Sequence, residues 1–322
     1  MTTATAPRIS TGQKVLNWVM NNGALVGLVA LCIALFIATP HFLTVNNFLN
    51  IGIQAATVAI LAFGMTFVIV TAGIDLSVGA VAALGAMVSA WFWVDAGLPG
   101  WLTLIAGLLT GLLAGAISGI ATAYGKLPAF IATLAMMSIA RGATLVISQG
   151  SPMATAPTVN WLGRTVGGIP IPIVMMVIAG FVCWFILSRT VLGRSMYAIG
   201  GNVEAARLSG LPVKKILVTV YALSGLFAGL AGLVMAGRLS SAQPQAGVGY
   251  ELDAIAAVVI GGASLAGGTG KATGTLIGAI LLAVIRNGLN LLNVSSFWQQ
   301  IVIGLVIALA VGFDVLRKKT TT

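Results

Sequence analysis

The chain has 322 residues, of which 59% are hydrophobic and 7% charged, and its mean hydropathy is +1.08. Soluble domains carry about 25% charged residues, so this composition excludes a soluble globular protein and indicates a polytopic membrane protein. A net charge of +10 would favour nucleic-acid binding in a soluble chain, but here the basic residues cluster in loops and at the termini, as topology determinants do. We therefore expect contact with membrane lipid and no nucleic-acid partner.

Continuous apolar runs predict an all-α bundle of about ten transmembrane helices, because each run is close to the roughly twenty residues that cross a bilayer. A transmembrane β-barrel would instead alternate apolar and polar residues in segments of about ten. The predicted spans are 22–39, 51–72, 77–94, 101–124, 128–149, 170–188, 216–236, 252–267, 272–292 and 297–315. They form a transmembrane domain over 22–315, between an N-terminal segment, 1–21, and a C-terminal tail, 316–322.

An even number of spans puts both termini on one side of the membrane, and the basic residues identify that side as the cytoplasm. The termini and the loop 189–215 are rich in Lys and Arg, as the positive-inside rule predicts. The span 252–267 is the weakest because it is short, yet parity requires that it cross, if only as a broken helix. The basic residues that fall toward the opposite side are Arg164, Arg238 and Arg286.

Several polar side chains lie in or beside the spans, where a charge facing lipid costs about 2.5 kcal/mol or more at the bilayer centre. Such residues either line a path for a neutral polyhydroxylated solute or have structural roles, and the sequence leaves both open. Asp75 could cap the helix that follows it, and Arg141 could reach the membrane interface. The candidate path-lining residues are Asp75, Arg141, Glu251, Asp253, Asn287 and Asn290.

The capped segment in the loop 189–215 is the clearest local feature. Asn202 can accept a hydrogen bond from a first helical turn, and Glu204 lies at the positive end of that helix. Gly210 supplies a left-handed stop, and Pro212 prevents continuation. A short helix on a basic loop of a membrane protein is typical of a docking element for a partner.

Two segments suggest that the chain contains an internal repeat. AGIDLSVGAVAALGA, from Ala72, resembles AGVGYELDAIAAVVIGGA, from Ala246. If the spans in 51–149 repeat as those in 216–315, the offset is five helices and the two halves have inverted topology. Inverted repeats are typical of transporters.

Glycine patterns predict packing and a turn rather than nucleotide binding. Glycines at every fourth residue of the span 101–124 form one flat stripe, which predicts close helix packing. The segment 261–271 fails the phosphate-loop pattern G-x-x-x-x-G-K-[ST], because Leu265 replaces its first glycine and Ala272 its hydroxyl residue. With 6 acidic residues in all, the chain also has no metalloenzyme motif. We expect no enzyme activity, no ATPase motif, no metal and no cofactor.

The loop reads EAARLSG followed by LP, which resembles the EAA-x-x-x-G coupling motif of bacterial ABC importer permeases. Other blocks follow the same resemblance, to permeases of the branched-chain amino acid and ribose type, from about Pro40 onward. These blocks are GIDLSVG, LGRSMYAIGGN, RLSSAQPQAGVGYELDAIAAVVIGG, SLAGG, GTLIGA and NGLNLLNVSS.

This resemblance implies a type II importer fold in the bacterial inner membrane. The resemblance also implies that a second copy of the chain completes the pore, that cytoplasmic ABC ATPase subunits supply energy, and that a periplasmic sugar-binding protein delivers the sugar, with ribose favoured by the overall likeness. The short cytoplasmic helix of such permeases fits a cleft on the ATPase. Carried onto this chain, Glu204, Ala205, Ala206 and Gly210 form that coupling element. An ion-coupled secondary sugar carrier is the alternative, although intramembrane carboxylates that could relay protons are few.

Overall fold

Helices make up nearly all of the regular structure in the computed structural model, which describes residues 23–319. The helices are α1 (Gly23–Ala38), α2 (Val45–Val70), α3 (Val78–Val94), α4 (Gly100–Ala123), α5 (Ala129–Ser148), α6 (Pro157–Trp161), α7 (Ile171–Arg189), α8 (Val191–Gly201), α9 (Val203–Leu208), α10 (Val213–Leu239), α11 (Tyr250–Ile260), α12 (Ala272–Leu291) and α13 (Ser296–Lys319). Four two-residue strands form two antiparallel pairs. They are β1 (Met153–Ala154) with β4 (Ser241–Ala242), and β2 (Thr165–Val166) with β3 (Ile169–Pro170).

The predicted helical membrane bundle is confirmed. Between residues 23 and 319, six helices are long and apolar enough to cross a bilayer, namely α2, α4, α5, α7, α10 and α12. Helices α1 and α3, and the Ser296–Val306 part of α13, are shorter apolar helices. The predicted N-terminal segment 1–21 lies outside the described residues. Helix α13 continues to Lys319 and so includes the first residues of the predicted tail, 316–322.

The predicted span 252–267 is helical only in its first part. Helix α11 has 11 residues and ends at Ile260; it rises about 16 Å, roughly half of a hydrocarbon core of about 30 Å. A non-helical turn follows, because Gly262, Gly267 and Gly268 have φ of 92°, 86° and 75°, which an α-helix cannot contain. The segment 261–271 is therefore a turn, as its glycines predict.

The glycine stripe of α4 packs against α10, as predicted. A Cβ atom on Gly111 would collide with the carbonyl oxygen of Gly225, and one on Gly119 would lie 2.8 Å from the Cα of Val218. The residue numbers run in opposite directions along the contact, so the two helices are antiparallel. Lipid provides no hydrophobic drive for association, and close backbone approach supplies the packing energy instead.

Helix α2 lies at the centre of the bundle. Every residue from Ala55 to Val70 is buried, and the helix packs against α7, α10, α11 and α12. Helix lengths follow the predicted repeat: α2 and α10 have 26 and 27 residues, and each is followed by a break and then a shorter helix of 17 or 11 residues. The two related segments also meet, since Gly79 packs against Gly247.

The bundle has two distinct ends, joined by α10. The last turn of α10 packs against Gly163, close to α6 and the β1–β4 pair, and we call this the α6 end. The first turn of α10 follows directly after α8 and α9, and we call this the α9 end.

Candidate functional site

The predicted docking helix is α9, and its boundaries follow the local sequence signals. The side-chain oxygen of Asn202 accepts a hydrogen bond from the amide of Ala205 at 2.9 Å. Gly210 has φ of 82°, and its amide donates to the carbonyl of Arg207 at 3.0 Å. The helix is thus capped at its start and closed by a left-handed glycine at its end.

One face of α9 packs against the protein and the other faces outward. Ala206 is buried, whereas Ala205 is exposed and Leu208 is 80% exposed. Glu204 and Arg207 form an ion pair of 2.9 Å with both side chains two-thirds exposed. Among the predicted coupling residues, Ala206 therefore holds the helix against the bundle. Leu208, which the motif did not indicate, offers an exposed apolar contact.

Helix α8 holds α9 against two breaks in the bundle, the end of α2 and the turn 261–271. The hydroxyl of Tyr197 donates to the carbonyl of Gly270 at 2.7 Å. Burial raises the pKa of the Tyr197 phenol, which keeps the group protonated as a donor. A Cβ on Gly200 would collide with the carbonyl oxygen of Val70, which also accepts a hydrogen bond from the amide of Gly268 at 2.9 Å. Helix α8 is therefore in direct contact with both halves of the chain.

A polar cavity of about 150 Å³ lies between α2, α10, α11 and α12. Within it, Arg286 Nη2 donates to Asp253 Oδ2 at 2.6 Å. The Asp253 side chain is 5% exposed and that of Arg286 33%. The polar residues that line the cavity are Gln54, Arg238, Tyr250, Asp253 and Arg286, and the apolar ones are Ala55, Val58, Ala279, Leu282 and Ala283.

The cavity is placed toward the α6 end and offers hydrogen bonds and charge rather than metal ligands. Arg238, in the last turn of α10, is exposed, whereas Asp253 is buried. Throughout residues 23–319, no three His, Cys, Asp or Glu side chains lie together as a metal site would require. The lining offers hydrogen-bond donors and acceptors together with an ion pair.

Asp75 lies buried in the break between α2 and α3, away from the cavity lining, and its oxygens are occupied. Oδ1 accepts from the amide of Ser77 at 2.9 Å and from its hydroxyl at 2.6 Å. Oδ2 accepts from the hydroxyl of Ser224 at 2.8 Å. The carboxylate thus fastens the start of α3 to the middle of α10, and Asp75 lies three residues before Val78, the first residue of the helix that it was expected to cap.

Arg141 contacts backbone rather than the cavity. Its Nη1 atom donates to the carbonyl oxygens of Pro244 and Ala246, at 2.8 and 2.9 Å. The Glu251 carboxylate is close enough to act on the guanidinium electrostatically. Arg141 on α5 therefore anchors the segment 240–249 that leads into α11.

The two candidate asparagines bond to other amides. Asn287 and Asn47 exchange two hydrogen bonds, of 3.0 and 2.7 Å, which join α12 to α2. Asn290 accepts a hydrogen bond of 2.8 Å from Gln299, at the start of α13. Of the candidates read from the sequence, only Asp253 lines the cavity. The topology predicted from the sequence places its partner Arg286 on the outer side of the membrane. Arg286 and Asp253 carry opposite charges on neighbouring spans, and that was the signal from which their ion pair could have been predicted.

Residues 47–311 match the family described as branched-chain amino acid transport system, permease component. The chain is 49% identical over 304 residues to the ribose import permease protein RbsC of Escherichia coli (strain K12), covering 92% of this chain and 94% of that protein. It is 50% identical over 295 residues to RbsC of Haemophilus influenzae, covering 90% and 91%, and 46% identical over 303 residues to RbsC of Bacillus subtilis, covering 92% and 93%. No solved structure matches the chain.

The chain therefore belongs to this family of transport-system permease components. Its helical membrane bundle is that of a transporter rather than an enzyme.

Proposed function

We propose that the chain is the transmembrane permease subunit of an ABC importer for ribose. The observation that carries the proposal is identity near one half to ribose import permeases over about nine-tenths of the chain. The exposed and capped α9, with its EAA-x-x-x-G sequence, adds the element through which such a permease would receive work from an ATPase. The ion-coupled carrier is not favoured, because the relatives are permeases of import systems.

We assign the α9 end to the cytoplasm of a bacterium, with both termini on that side of the inner membrane. The basic residues next to α9 support this orientation through the positive-inside rule; they are Arg189, Arg194, Lys214 and Lys215. A periplasmic sugar-binding protein then delivers ribose at the α6 end, and a second copy of the chain completes the pore in the lipid.

Coupling in this proposal is a rigid-body push on α9 by the cytoplasmic ATPase. Glu204, Ala205 and Leu208 present the contact surface, while Ala206 and Gly210 fix the helix and its exit. Movement of α9 carries α8 with it, and α8 bears directly on Val70 and on the turn 261–271. Because packed helices shift as bodies rather than deform, a small displacement at α9 would reposition α2 and α12.

Uptake of labelled ribose tests the substrate and the transport role. The host lacks its own ribose system and expresses this chain with its cognate ATPase and binding protein, and the control omits only this chain. We expect saturable ribose uptake that requires the chain and is not competed by an excess of xylose, which differs in the orientation of its hydroxyls. Absence of ribose uptake by the complete set would contradict the proposal.

A further inference from the structure

We propose that the cavity between α2, α10, α11 and α12 is a transit site that binds a neutral polyhydroxylated solute, with the Asp253–Arg286 ion pair as its floor. The inference rests on the proposed transport function and deepens it, because it says where inside the permease the sugar is held.

The Asp253–Arg286 ion pair is not the only contact between α11 and α12. Those helices already approach closely through small residues: a Cβ on Gly278 would collide with the carbonyl of Ala257, and one on Gly274 with that of Gly261. A buried ion pair is often no more stabilising than apolar residues of the same volume, because both charges lose their hydration. Ionisable residues within membrane bundles mark solute and ion pathways instead.

Several polar side chains that line the cavity are left uncommitted, unlike two of the other path candidates. Asp75 and Asn287 have their side-chain atoms hydrogen-bonded to other side chains. By contrast, the side chains of Gln54, Arg238 and Tyr250 make no hydrogen bond to any other group in the described part of the chain, 23–319. These groups face a cavity and are free to bond a solute.

The uncommitted groups match the chemistry of a sugar. A sugar hydroxyl both donates and accepts, and here an amide and a phenol offer both functions while a guanidinium donates. The floor adds a carboxylate acceptor beside a second guanidinium. The other half of the lining is apolar and includes Leu282 and Ala283, and small-molecule sites combine apolar walls with placed polar groups.

The structure provides access to the cavity from the α6 end, and the helix that carries Asp253 can move. Arg238 is exposed at the α6 end, while Asp253 is buried. The short helix α11, which carries Asp253, lies between Gly249 and Gly262, with φ of 82° and 92°. Left-handed glycines at both ends let α11 shift as a unit against α12, which would separate Asp253 from Arg286 and open the floor.

Cysteine protection tests whether sugar occupies the cavity. In a chain with Cys32 and Cys183 replaced by alanine, Ala283→Cys places a thiol on the cavity wall, and Val284→Cys is the control, equally buried on the same helix but outside the lining. The complete importer in membranes is treated with methyl methanethiosulfonate, with and without saturating ribose. We expect the Ala283→Cys thiol to react, ribose to slow its reaction several-fold, and the Val284→Cys thiol to stay unreactive in both conditions.

Ribose uptake by the same two variants separates this inference from the proposed function. If Ala283→Cys transports ribose but its labelling rate is the same with and without ribose, the transit site is wrong and the importer assignment stands. If the parent chain transports no ribose, both proposals are contradicted. A variant that loses transport through misfolding is replaced in the same assay by Ala279→Cys, which lines the same wall.

A polar-to-apolar pair tests the hydrogen bonding independently. Gln54→Leu removes an uncommitted amide from the cavity, whereas Asn50→Leu removes an exposed amide one turn earlier on α2, outside the lining. We expect Gln54→Leu to lower kcat/KM for ribose uptake about tenfold, the effect of one lost hydrogen bond, and Asn50→Leu to leave it unchanged. Equal kinetics for the two variants would contradict a solute contact at Gln54.

Discussion

Arg141 shows how a single charge is accommodated inside the bundle. The sequence leaves open whether this residue lines a path or has a structural role, and the structure points its guanidinium at two carbonyl oxygens of the segment 240–249. Apart from the short strand β4, that segment has no regular secondary structure. Its backbone carbonyl groups therefore need hydrogen-bond partners that a helix would have supplied internally. Arg141 supplies two of them from α5 and so ties the segment that precedes α11 to a neighbouring helix.

Arg141→Ala should therefore lower both stability and transport. Each charge-assisted hydrogen bond contributes about 1.5–3 kcal/mol, so we expect the Tm of the purified permease to fall by several degrees. Ribose uptake should fall as well, while the assembled complex still hydrolyses ATP. Arg164→Ala, at an exposed arginine on the α6 side, is the control and should change neither property. Unchanged uptake and Tm in Arg141→Ala would show that the tether has no role.

Among the elements, α9 is the one whose form is most fully encoded in its own residues. Its cap and its left-handed end both use side chains or backbone within the segment 202–211. The helix has only 6 residues, too few for a stable isolated helix, so its caps and the burial of Ala206 must maintain it. A helix held in this way can keep its shape under a push from a partner, as the proposed coupling requires.

Gly210→Val tests the left-handed exit of α9. A side chain at Gly210 would meet no atom within 4 Å, so the change acts through φ of 82°, which costs a non-glycine residue about 1–2 kcal/mol and more when it is β-branched. The matched control is Gly201→Val, where space is equally open and φ is not left-handed. We expect Gly210→Val to reduce ribose uptake at least about tenfold at an unchanged amount of permease in the membrane. Comparable uptake by the two variants would refute the assignment of this exit to coupling.

Local features of this chain could be predicted from sequence, and long-range ones could not. Asn202 and Gly210 act on residues close to them in the chain, and the α4 glycines repeat one kind of helix contact. Their sequence patterns were therefore enough to predict their structural roles. The glycines of 261–271 likewise predicted the turn that follows α11 at Ile260. The cavity joins side chains of four helices, from Gln54 to Arg286, and only the packing of α2 against α11 and α12 brings them together.

At the scale of the whole molecule, the structure connects its two ends. Helix α8 links the outward face of α9 to the end of α2 and to the turn between α11 and α12. The same α2, α11 and α12 form most of the cavity wall near the α6 end. In our proposals, a push at α9 and an opening at Asp253 would therefore be movements of one connected set of helices.

Transport by purified components tests the central claim most directly. The permease is reconstituted into liposomes with its cognate ATPase, the ribose-binding protein is added on the side of the α6 end, and ribose transport is measured with ATP, without ATP and with a hydrolysis-deficient ATPase. We predict transport only when ATP is hydrolysed, and loss of transport in Gly210→Val. Full-rate ribose movement by the permease alone, without a nucleotide-hydrolysing partner, would contradict the account.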